Sequence, residues 1–496
     1  MKSLLRLLTI FLFATSASAA DKPNILFIAI DDLNDWLGCY GGHPQAITPN
    51  IDRLAASGVL FSNAHCAAPV CKSSRTAVFS GRYPQQTGVF GNKDPDILKD
   101  HPDSVFLSQA LADSGYDTLG TGKLLHGSSA GVFDSVFYPE QRWSPFTKEE
   151  ASYSTEELPS KGTVNPRHVL KNGPGGRDYV FPFNRMPSDR NPDKLDGESF
   201  DWASFDLPDS AMGDGQITDW AIDKLSEPRS KPLLLGVGFY RPHIPLFAPK
   251  VDFDVYPPVE EIQLPQIREN DFDDIGEAGR RWGTEAVTAG SHASVLEHDQ
   301  WREAVRAYLA CVTFVDRQVG KLMAALKESP QADNTLIVLW SDHGWHLGEK
   351  QHWGKWTGWR QSTRVPLIIL EPLKNTEAPR GKVCSEPVGL IDLYPTLLDY
   401  SGSPERDDLA GVSLRPLLEK PGQETGRTIL TTFDRGNHTL SGNQWRYIRY
   451  KEGDEELYQI QDDPNEWDNL SGHEETQGIM ATMRTMLDAK LAEIEE

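Results

Sequence analysis

Unbroken apolar runs that end in charged residues constrain the fold of this chain most strongly. The first run, Asn24–Ile30 (NILFIAI), follows Pro23 and leads directly into Asp31 and Asp32. A short run that is apolar on both faces predicts a buried strand of a parallel sheet. Three further runs have the same character and carry the same prediction: Lys231–Tyr240, Asn334–Trp340 and Val365–Leu370.

Amphipathic helical patterns separate these runs. The first pattern, Asp103–Ala112, begins with Asp103 and Ser104 as candidate caps and stops before Gly115. Strands that alternate with helices predict an α/β fold, a large and mostly parallel sheet with helices on both faces. The other predicted helices are Trp301–Lys327, Ile391–Tyr400 and roughly 474–494.

Composition along the chain predicts its division into domains. Residues 128–215 are rich in Pro, Gly, Ser and charge, and we expect long loops there on the substrate side. Beyond about residue 420, short alternating segments predict strands and hairpins that precede the last helix. We therefore predict a catalytic domain of residues 20–420 and a smaller α+β C-terminal domain of residues 421–496.

The first 19 residues have the features of a secretory signal peptide. Lys2 and Arg6 precede a short apolar run, and Ala17 and Ala19 form a small-x-small cleavage site. The run is too short to span a membrane, and no later segment is apolar enough to do so. We expect an exported protein, periplasmic or extracellular, without a membrane span.

Net charge and cysteine content exclude several classes of function. The formal net charge of −23 argues against nucleic acid as a partner, although a local basic pocket can still bind an anion. The cysteines are too sparse for a disulfide scaffold, and no CxxC pair suggests a structural zinc site. The five cysteines are Cys39, Cys66, Cys71, Cys311 and Cys384. Because their number is odd, at least one thiol is either unpaired or chemically modified.

Polar residues follow three of the predicted strands. Asp31 and Asp32 leave the first strand, Asp342 and His343 leave the NTLIVLW strand, and His243 follows the LLLGVGFY strand. Ligands gather beyond the carboxyl ends of the strands in such sheets. Each aspartate pair alone could cap a helix or form a turn. Together at one edge they would repel each other without a cation, and their oxygens favour calcium or magnesium over zinc.

Basic residues occur close to these strand ends. Lys123 and His126 follow the strand-like segment YDTLGTG, and Lys355 lies in GWHLGEKQHWGKW. A single lysine or histidine is more often solvated or structural than catalytic. Directed at one metal-bearing pocket, however, lysine, arginine and histidine side chains form an anion site.

Cys71 lies in the segment PVCKSSRTAVFSGRYP, which leads into a helical pattern. A thiolate at a helix start is stabilised by the positive end of the helix dipole. Arg75 is one turn later and faces the same side. The Cys-x-x-x-Arg spacing alone is weak, so a buried core thiol remains open beside a reactive one.

Five segments together resemble a known family: NILFIAIDDLNDW, PVCKSSRTAVFSGRYP, GTGKLLHG, SDHGWHLGEKQHWGKW and ELYQIQDDPNEWDNL. They look like the type I sulfatases, the formylglycine-dependent enzymes of the alkaline-phosphatase superfamily, in the same order over nearly the whole chain. The segments GFYRPHIPLFAPK and FVDRQVGKLM look most like the iduronate-2-sulfatase branch. The resemblance implies an alkaline-phosphatase-like fold and hydrolysis of sulfate esters on a sulfated sugar or polysaccharide.

The resemblance also implies roles for individual residues. Cys71 would be oxidised to formylglycine by a formylglycine-generating or equivalent maturation enzyme, and its hydrate would be the nucleophile. Arg75 would stabilise that hydrate, and His126 would assist it. Lys123 and Lys355 would hold the sulfate oxygens, with His243 beside the leaving oxygen. One calcium ion would be bound by Asp31, Asp32, Asp342 and His343 together with residue 71.

One residue departs from the family pattern. The usual signature is Cys-x-Pro-x-Arg or Cys-x-Ala-x-Arg, whereas the third position here is Ser73. The departure bears on which maturation system acts on Cys71. Two alternatives stand beside the sulfatase hypothesis. One is a phosphodiester or phosphonate monoester hydrolase on the same scaffold, and the other is an inactive protein that binds sulfated glycans.

Overall fold

The computed structural model describes residues 22–129, 131–145, 168–173, 177–181, 183–184, 186, 189–190 and 200–495. The signal peptide expected at residues 1–19 lies outside the described residues. In the described part of the chain, no helix has both the length and the apolar character that crossing a bilayer requires.

An eight-stranded sheet forms the centre of the molecule. The strands that the structure describes, in chain order, are β1 (Asn24–Ile30), β2 (Val59–Phe61), β3 (Ala64–His65), β4 (Asp117–Gly122), β5 (Ser135–Phe137), β6 (His168–Gly173), β7 (Arg177–Phe181), β8 (Trp202–Phe205), β9 (Leu233–Phe239), β10 (Leu246–Pro249), β11 (Thr335–Ser341), β12 (His346–Leu347), β13 (Trp353–Gly354), β14 (Arg364–Val365), β15 (Leu367–Leu370), β16 (Lys382–Cys384), β17 (Val388–Gly389), β18 (Ile429–Asp434), β19 (Asn437–Ser441), β20 (Trp445–Arg449) and β21 (Glu455–Gln459). The spatial order of the central sheet is β16-β2-β15-β11-β1-β9-β4-β5, and its middle strands are almost wholly buried because both faces are covered.

Alternate side chains of β1 enter two different cores. Leu26, Ile28 and Ile30 belong to one core, whereas Ile25 and Phe27 belong to the other. A strand covered on both faces needs apolar residues at every position, which explains the unbroken run.

The α-helices of the described residues are α1 (Pro49–Ser57), α2 (Cys71–Ser80), α3 (Pro84–Thr87), α4 (Ile97–Asp100), α5 (Leu107–Asp113), α6 (Gly213–Ser226), α7 (Lys250–Asp254), α8 (Glu277–Thr284), α9 (His292–Glu297), α10 (Trp301–Glu328), α11 (Arg360–Thr363), α12 (Leu393–Ser401), α13 (Arg415–Glu419) and α14 (Gln477–Glu495).

Three of the four apolar runs are parallel strands, as predicted, and the fourth is not. β1 pairs in parallel with β11 and with β9, but β15 pairs antiparallel with both β11 and β2. The predicted strand Val365–Leu370 is also divided at Pro366, which has no N–H to donate. The direction of a buried strand depends on how the chain returns to the sheet. An apolar run alone does not indicate whether the strand is parallel or antiparallel to its neighbours.

The helix predicted at Asp103–Ala112 begins later, at Leu107. Phe106 is the capping residue, and its backbone N–H donates to Oε1 of Gln109 at 2.8 Å. Asp103 and Ser104 therefore lie before the helix and do not cap it. The helices predicted at 301–327, 391–400 and 474–494 are confirmed as α10, α12 and α14, with small differences at their ends.

The prediction of long loops over residues 128–215 is partly wrong, because this stretch contains regular secondary structure. Strands β5, β6, β7 and β8 and the start of α6 lie in this stretch. Further along the chain, strands β18 to β21 form a four-stranded antiparallel sheet, and α14 packs on it through Met480, Met483 and Leu487. The same core contains Ala77 of α2, so the C-terminal sheet lies directly against the helix that begins with Cys71.

Candidate active site

The polar strand ends come together at one edge of the large sheet. Asp31 follows β1 and donates its backbone N–H to the carbonyl of Phe239, the last residue of β9, at 3.2 Å. Lys123 follows β4 directly, and Asp342 follows β11. Because these strands are parallel neighbours, their carboxyl ends deliver carboxylates and an ammonium group to one site.

Cys71 is the first residue of α2, preceded by the extended residue Val70. The helix is lined by small residues on this side and ends at Gly81, which adopts the left-handed conformation. The Cys71 side chain is fully buried, and the hydroxyl of Ser74 donates to the backbone carbonyl of Asp342 at 2.5 Å. Helix α2 is thereby fixed to the end of β11.

Three cationic or imidazole groups surround the Cys71 sulfur. The Sγ atom lies 3.0 Å from Nζ of Lys355, 3.4 Å from Nε2 of His343 and 3.5 Å from Nζ of Lys123. Burial alone would raise the pKa of this thiol. The charges of Lys123, Lys355 and His343 and a hydrogen bond with His126 outweigh burial and hold the pKa well below its usual range.

A group of potential metal ligands lies beside this sulfur. One ligand atom each from Asp31, Asp32, Cys71 and His343 can be chosen so that all lie within 4.8 Å of one another. Oδ2 of Asp32 is buried and has no hydrogen-bond partner among the described residues. Asp342 stands at the edge of this group, with Oδ2 3.4 Å from Nε2 of His343. The donor atoms are mainly carboxylate oxygens, which suit a hard cation such as calcium.

Arg75 joins two of the carboxylates. Its Nε lies 2.9 Å from Oδ2 of Asp342, and its Nη2 lies 3.1 Å from Oδ1 of Asp31. Its Nη1 donates to the backbone carbonyls of Lys123 and Leu124. Burial raises the pKa of Asp342, whereas the Lys123 ammonium holds the pKa of Asp31 below its usual range in spite of burial. The guanidinium is fully buried and orients both carboxylates.

The two lysines each contact one aspartate and one tryptophan. Lys123 forms an ion pair with Asp31, and its Nζ lies 5.3 Å from the ring centre of Trp143. Lys355 lies 2.6 Å from Oδ1 of Asp32 and 5.4 Å from the ring centre of Trp345. Cation–π contacts of this kind hold an ammonium group without neutralising it.

The predicted site residues therefore lie together. His243 approaches Oδ2 of Asp32 to 3.9 Å and packs its ring 5.0 Å from that of Trp143. Two residues of the site, Trp143 and Ser74, were not predicted. Ser74 lies in the PVCKSSRTAVFSGRYP segment, whereas Trp143 lies in a stretch without periodicity and carries no sequence signal.

An open cavity of about 480 Å³ reaches this centre, with Lys355 and His243 in its wall. Aromatic side chains of Phe90, Trp345 and Trp356 line it as well. A cavity of this size with aromatic walls and convergent charges is typical of a small-molecule site.

The fold and site define the class of protein. Residues 23–403 match the sulfatase family, and residues 348–493 match the C-terminal region of N-sulphoglucosamine sulphohydrolase. The chain therefore belongs to the sulfatase family, and the prediction of a sulfuric ester hydrolase is confirmed.

Individual relatives agree with this assignment. A sulfatase of Formosa agariphila is 34% identical, covering 94% of this chain and 86% of that protein. Iduronate 2-sulfatase of Mus musculus is 30% identical, covering 88% of this chain and 79% of that protein. The solved phosphonate monoester hydrolase of Agrobacterium radiobacter is 20% identical with a TM-score of 0.74, covering 95% of this chain and 96% of that one. The last likeness concerns the fold alone, and the predicted alkaline-phosphatase-like α/β fold is confirmed.

Proposed function

We propose that this protein hydrolyses sulfate esters of a sulfated sugar or polysaccharide, with formylglycine made from Cys71 as the nucleophile and one calcium ion as cofactor. The observation that carries the proposal is the surroundings of the Cys71 sulfur, where Lys355, His343 and Lys123 lie within 3.5 Å beside Asp31 and Asp32. A nucleophile enclosed by cations suits attack on an anionic ester.

The carboxylates fit a calcium ion. Asp31, Asp32, Asp342 and His343, together with residue 71, would hold it, and Asp32 offers a buried oxygen that no described group satisfies. A bound calcium ion would supply positive charge to the sulfate oxygens as the ester bond breaks. Arg75 would keep Asp31 and Asp342 oriented toward it through the two ion pairs described above.

An aldehyde hydrate at position 71 would supply one hydroxyl that attacks the ester sulfur and a second whose deprotonation releases sulfate. The surrounding side chains would then have distinct tasks. Lys123 and Lys355 would bind the sulfate oxygens, and His126 would hold or accept a proton at the hydrate. His243 lies at the cavity wall, where it could donate a proton to the departing sugar oxygen.

This function implies a partner and a location. Conversion of Cys71 needs a formylglycine-generating or equivalent enzyme, and this enzyme would have to accept Ser73 in place of the usual residue. Export to the periplasm or beyond would follow from the signal peptide proposed at residues 1–19. We also propose that residues 421–496 form a smaller domain whose sheet supports α2.

Two measurements test the proposal. Mass spectrometry of the peptide spanning residues 69–82, from protein made in its native host, should find the aldehyde at position 71. With matched sulfate and phosphonate esters, the protein should then strongly prefer the sulfate ester. Hydrolysis of that ester should be lost on chelation and restored by calcium. A preference for phosphonate would favour the alternative hydrolase. An unaltered thiol without hydrolysis of either ester would favour a glycan-binding protein.

A further inference from the structure

The cavity that reaches the catalytic centre carries three cations besides Lys355. Lys93, Arg190 and Arg435 line it, and they come from three distant parts of the chain. Two carboxylates, those of Asp94 and Asp434, belong to the same wall. The cavity is therefore basic on balance, although the whole chain has a formal net charge of −23.

The three cations are unpaired among the residues that the structure describes. Within the described part of the chain, none of them forms an ion pair. Arg435 donates Nη2 to the backbone carbonyl of Gly88 at 3.2 Å, and Arg190 donates Nη1 to that of Thr288 at 2.9 Å. Oδ2 of Asp94 accepts the backbone N–H groups of Phe90 at 2.7 Å and Gly91 at 2.9 Å, so this carboxylate is held by the backbone and is paired with none of the three cations among the described residues.

Arg435 is the best positioned of the three. It lies in the tight turn between β18 and β19 of the C-terminal sheet, followed by Gly436 at φ 82°. Its guanidinium carbon lies 4.1 Å from the ring centre of Phe90, a cation–π contact that fixes the side chain at the cavity wall. A guanidinium has five N–H donors, and the described residues accept from one nitrogen of Arg435, which leaves other donors to meet a ligand.

We propose that this cavity binds a second anionic group of the substrate, a carboxylate or a further sulfate, and that Arg435 is its principal donor. A planar guanidinium pairs with either oxyanion through two parallel hydrogen bonds. Lys93 and Arg190 add long-range attraction for the same group. The inference rests on the proposed function, because the first sulfate is the one bound beside Cys71.

Kinetics with matched substrates test this inference. The set is a sulfated uronic acid glycoside, its neutral carboxyl methyl ester, and a monosulfated and a disulfated hexose. For Arg435→Gln we expect the ratio of kcat/KM for the acidic over the neutral substrate to fall about 10- to 100-fold, mainly through KM. A fall confined to the uronate pair assigns a carboxylate, and a fall confined to the hexose pair assigns a sulfate.

Two further variants serve as controls. Lys451→Gln removes one positive charge from an exposed position in the turn between β20 and β21, outside the cavity, and should leave the ratio unchanged. Arg435→Lys keeps the charge but not the planar guanidinium. Its ratio of kcat/KM for the acidic over the neutral substrate should lie between those of Arg435→Gln and the unsubstituted protein. An equal loss on acidic and neutral substrates in Arg435→Gln would overturn the inference while sulfate release by the unsubstituted protein upheld the proposed function.

Binding measurements separate the two proposals completely. Calorimetric titration of the Cys71→Ala protein with the same substrates needs no turnover. The acidic member of a pair should bind more tightly than the neutral one, and Arg435→Gln should remove that difference. Equal affinities for both members in the Cys71→Ala protein would contradict the inference even if no sulfate ester were ever hydrolysed.

Discussion

Two buried thiols five residues apart have opposite surroundings. Cys66 and Cys71 are both fully buried. Burial raises the pKa of Cys66 well above its usual value, and nearby Asp342 adds to the effect. Burial acts on Cys71 in the same direction, but Lys123, Lys355 and His343 reverse the outcome. Reactivity in this protein is therefore a property of the surrounding charges and does not follow from depth in the fold.

The difference follows from where each residue stands on the chain. Cys66 follows β3 and packs within the apolar core on one face of the large sheet, where its Sγ makes a weak contact with the carbonyl of Ser362 at 3.9 Å. Cys71 begins α2, where the strand ends deliver Asp31 and Lys123. Five residues of chain are enough to move a sulfur from an apolar core to a charged site.

Replacement of each cysteine by alanine tests this comparison most strongly. Cys71→Ala removes the nucleophile and should lower kcat for a sulfate ester on the order of 10⁴-fold or more. Cys66→Ala should retain kcat within about twofold, because its sulfur packs in the apolar core on one face of the large sheet. The measurement is sulfate release by matched amounts of folded protein, with circular dichroism as the folding control. Substantial activity in Cys71→Ala would remove residue 71 from the mechanism.

Removal of one cation from the surroundings of Cys71 should have the next largest effect. Lys355→Ala deletes the ammonium 3.0 Å from Sγ and should lower kcat about 10²- to 10³-fold, the range for one preorganised electrostatic donor. Lys72→Ala is the matched control, since Lys72 adjoins Cys71 in sequence but pairs with Asp96 at 3.3 Å. Steady-state kinetics should show this loss in kcat, and a loss at least as large in kcat/KM, for Lys355→Ala only.

Local sequence was sufficient to predict much of the site and insufficient for the rest of it. Asp31, Asp342 and Lys123 directly follow strands, so their convergence could be predicted once those strands were taken as parallel. Trp143 and Arg435 could not be predicted, because each reaches the site from a segment that is distant in sequence. Their positions depend on tertiary packing, and neither lies in a segment that carries a catalytic motif.

The fold was predictable to a similar degree. Unbroken apolar runs identified the central strands because burial on both faces demands them. The antiparallel direction of β15 depends on the connection around it, and the start of α5 depends on the contact between Phe106 and Gln109. Side chains that compete to cap a helix are not distinguished by composition, so Asp103 and Ser104 were wrongly assigned that role.

A polar substitution at the apolar thiol should affect stability and leave catalysis intact. Cys66→Ser buries a hydroxyl among apolar side chains and should lower the free energy of unfolding by about 1–3 kcal/mol. Urea denaturation followed by fluorescence measures this loss, with Cys66→Ala as the matched variant that adds no polar group. If serine were tolerated as well as alanine, the buried hydroxyl would have found a hydrogen-bond partner, and the contrast with Cys71 would weaken.

The smallest effect is the absorbance of a single thiolate. In protein made without the maturation enzyme, Cys71 should ionise at a lower pH than an ordinary thiol, because its folded pKa lies well below the usual value. The pKa values of the other four thiols are raised, mainly by burial, so they should ionise only at a higher pH than an ordinary thiol. In ultraviolet difference spectra recorded just below the usual thiol pKa, the unsubstituted protein should therefore contain one thiolate more than Cys71→Ala and the same number as Cys66→Ala. The Cys71 signal should be lost as pH falls through the lowered pKa, because protonation favours the neutral thiol. An absorbance that appeared only above pH 9 would mean that Lys123, Lys355 and His343 do not outweigh burial, and the two cysteines would then be alike.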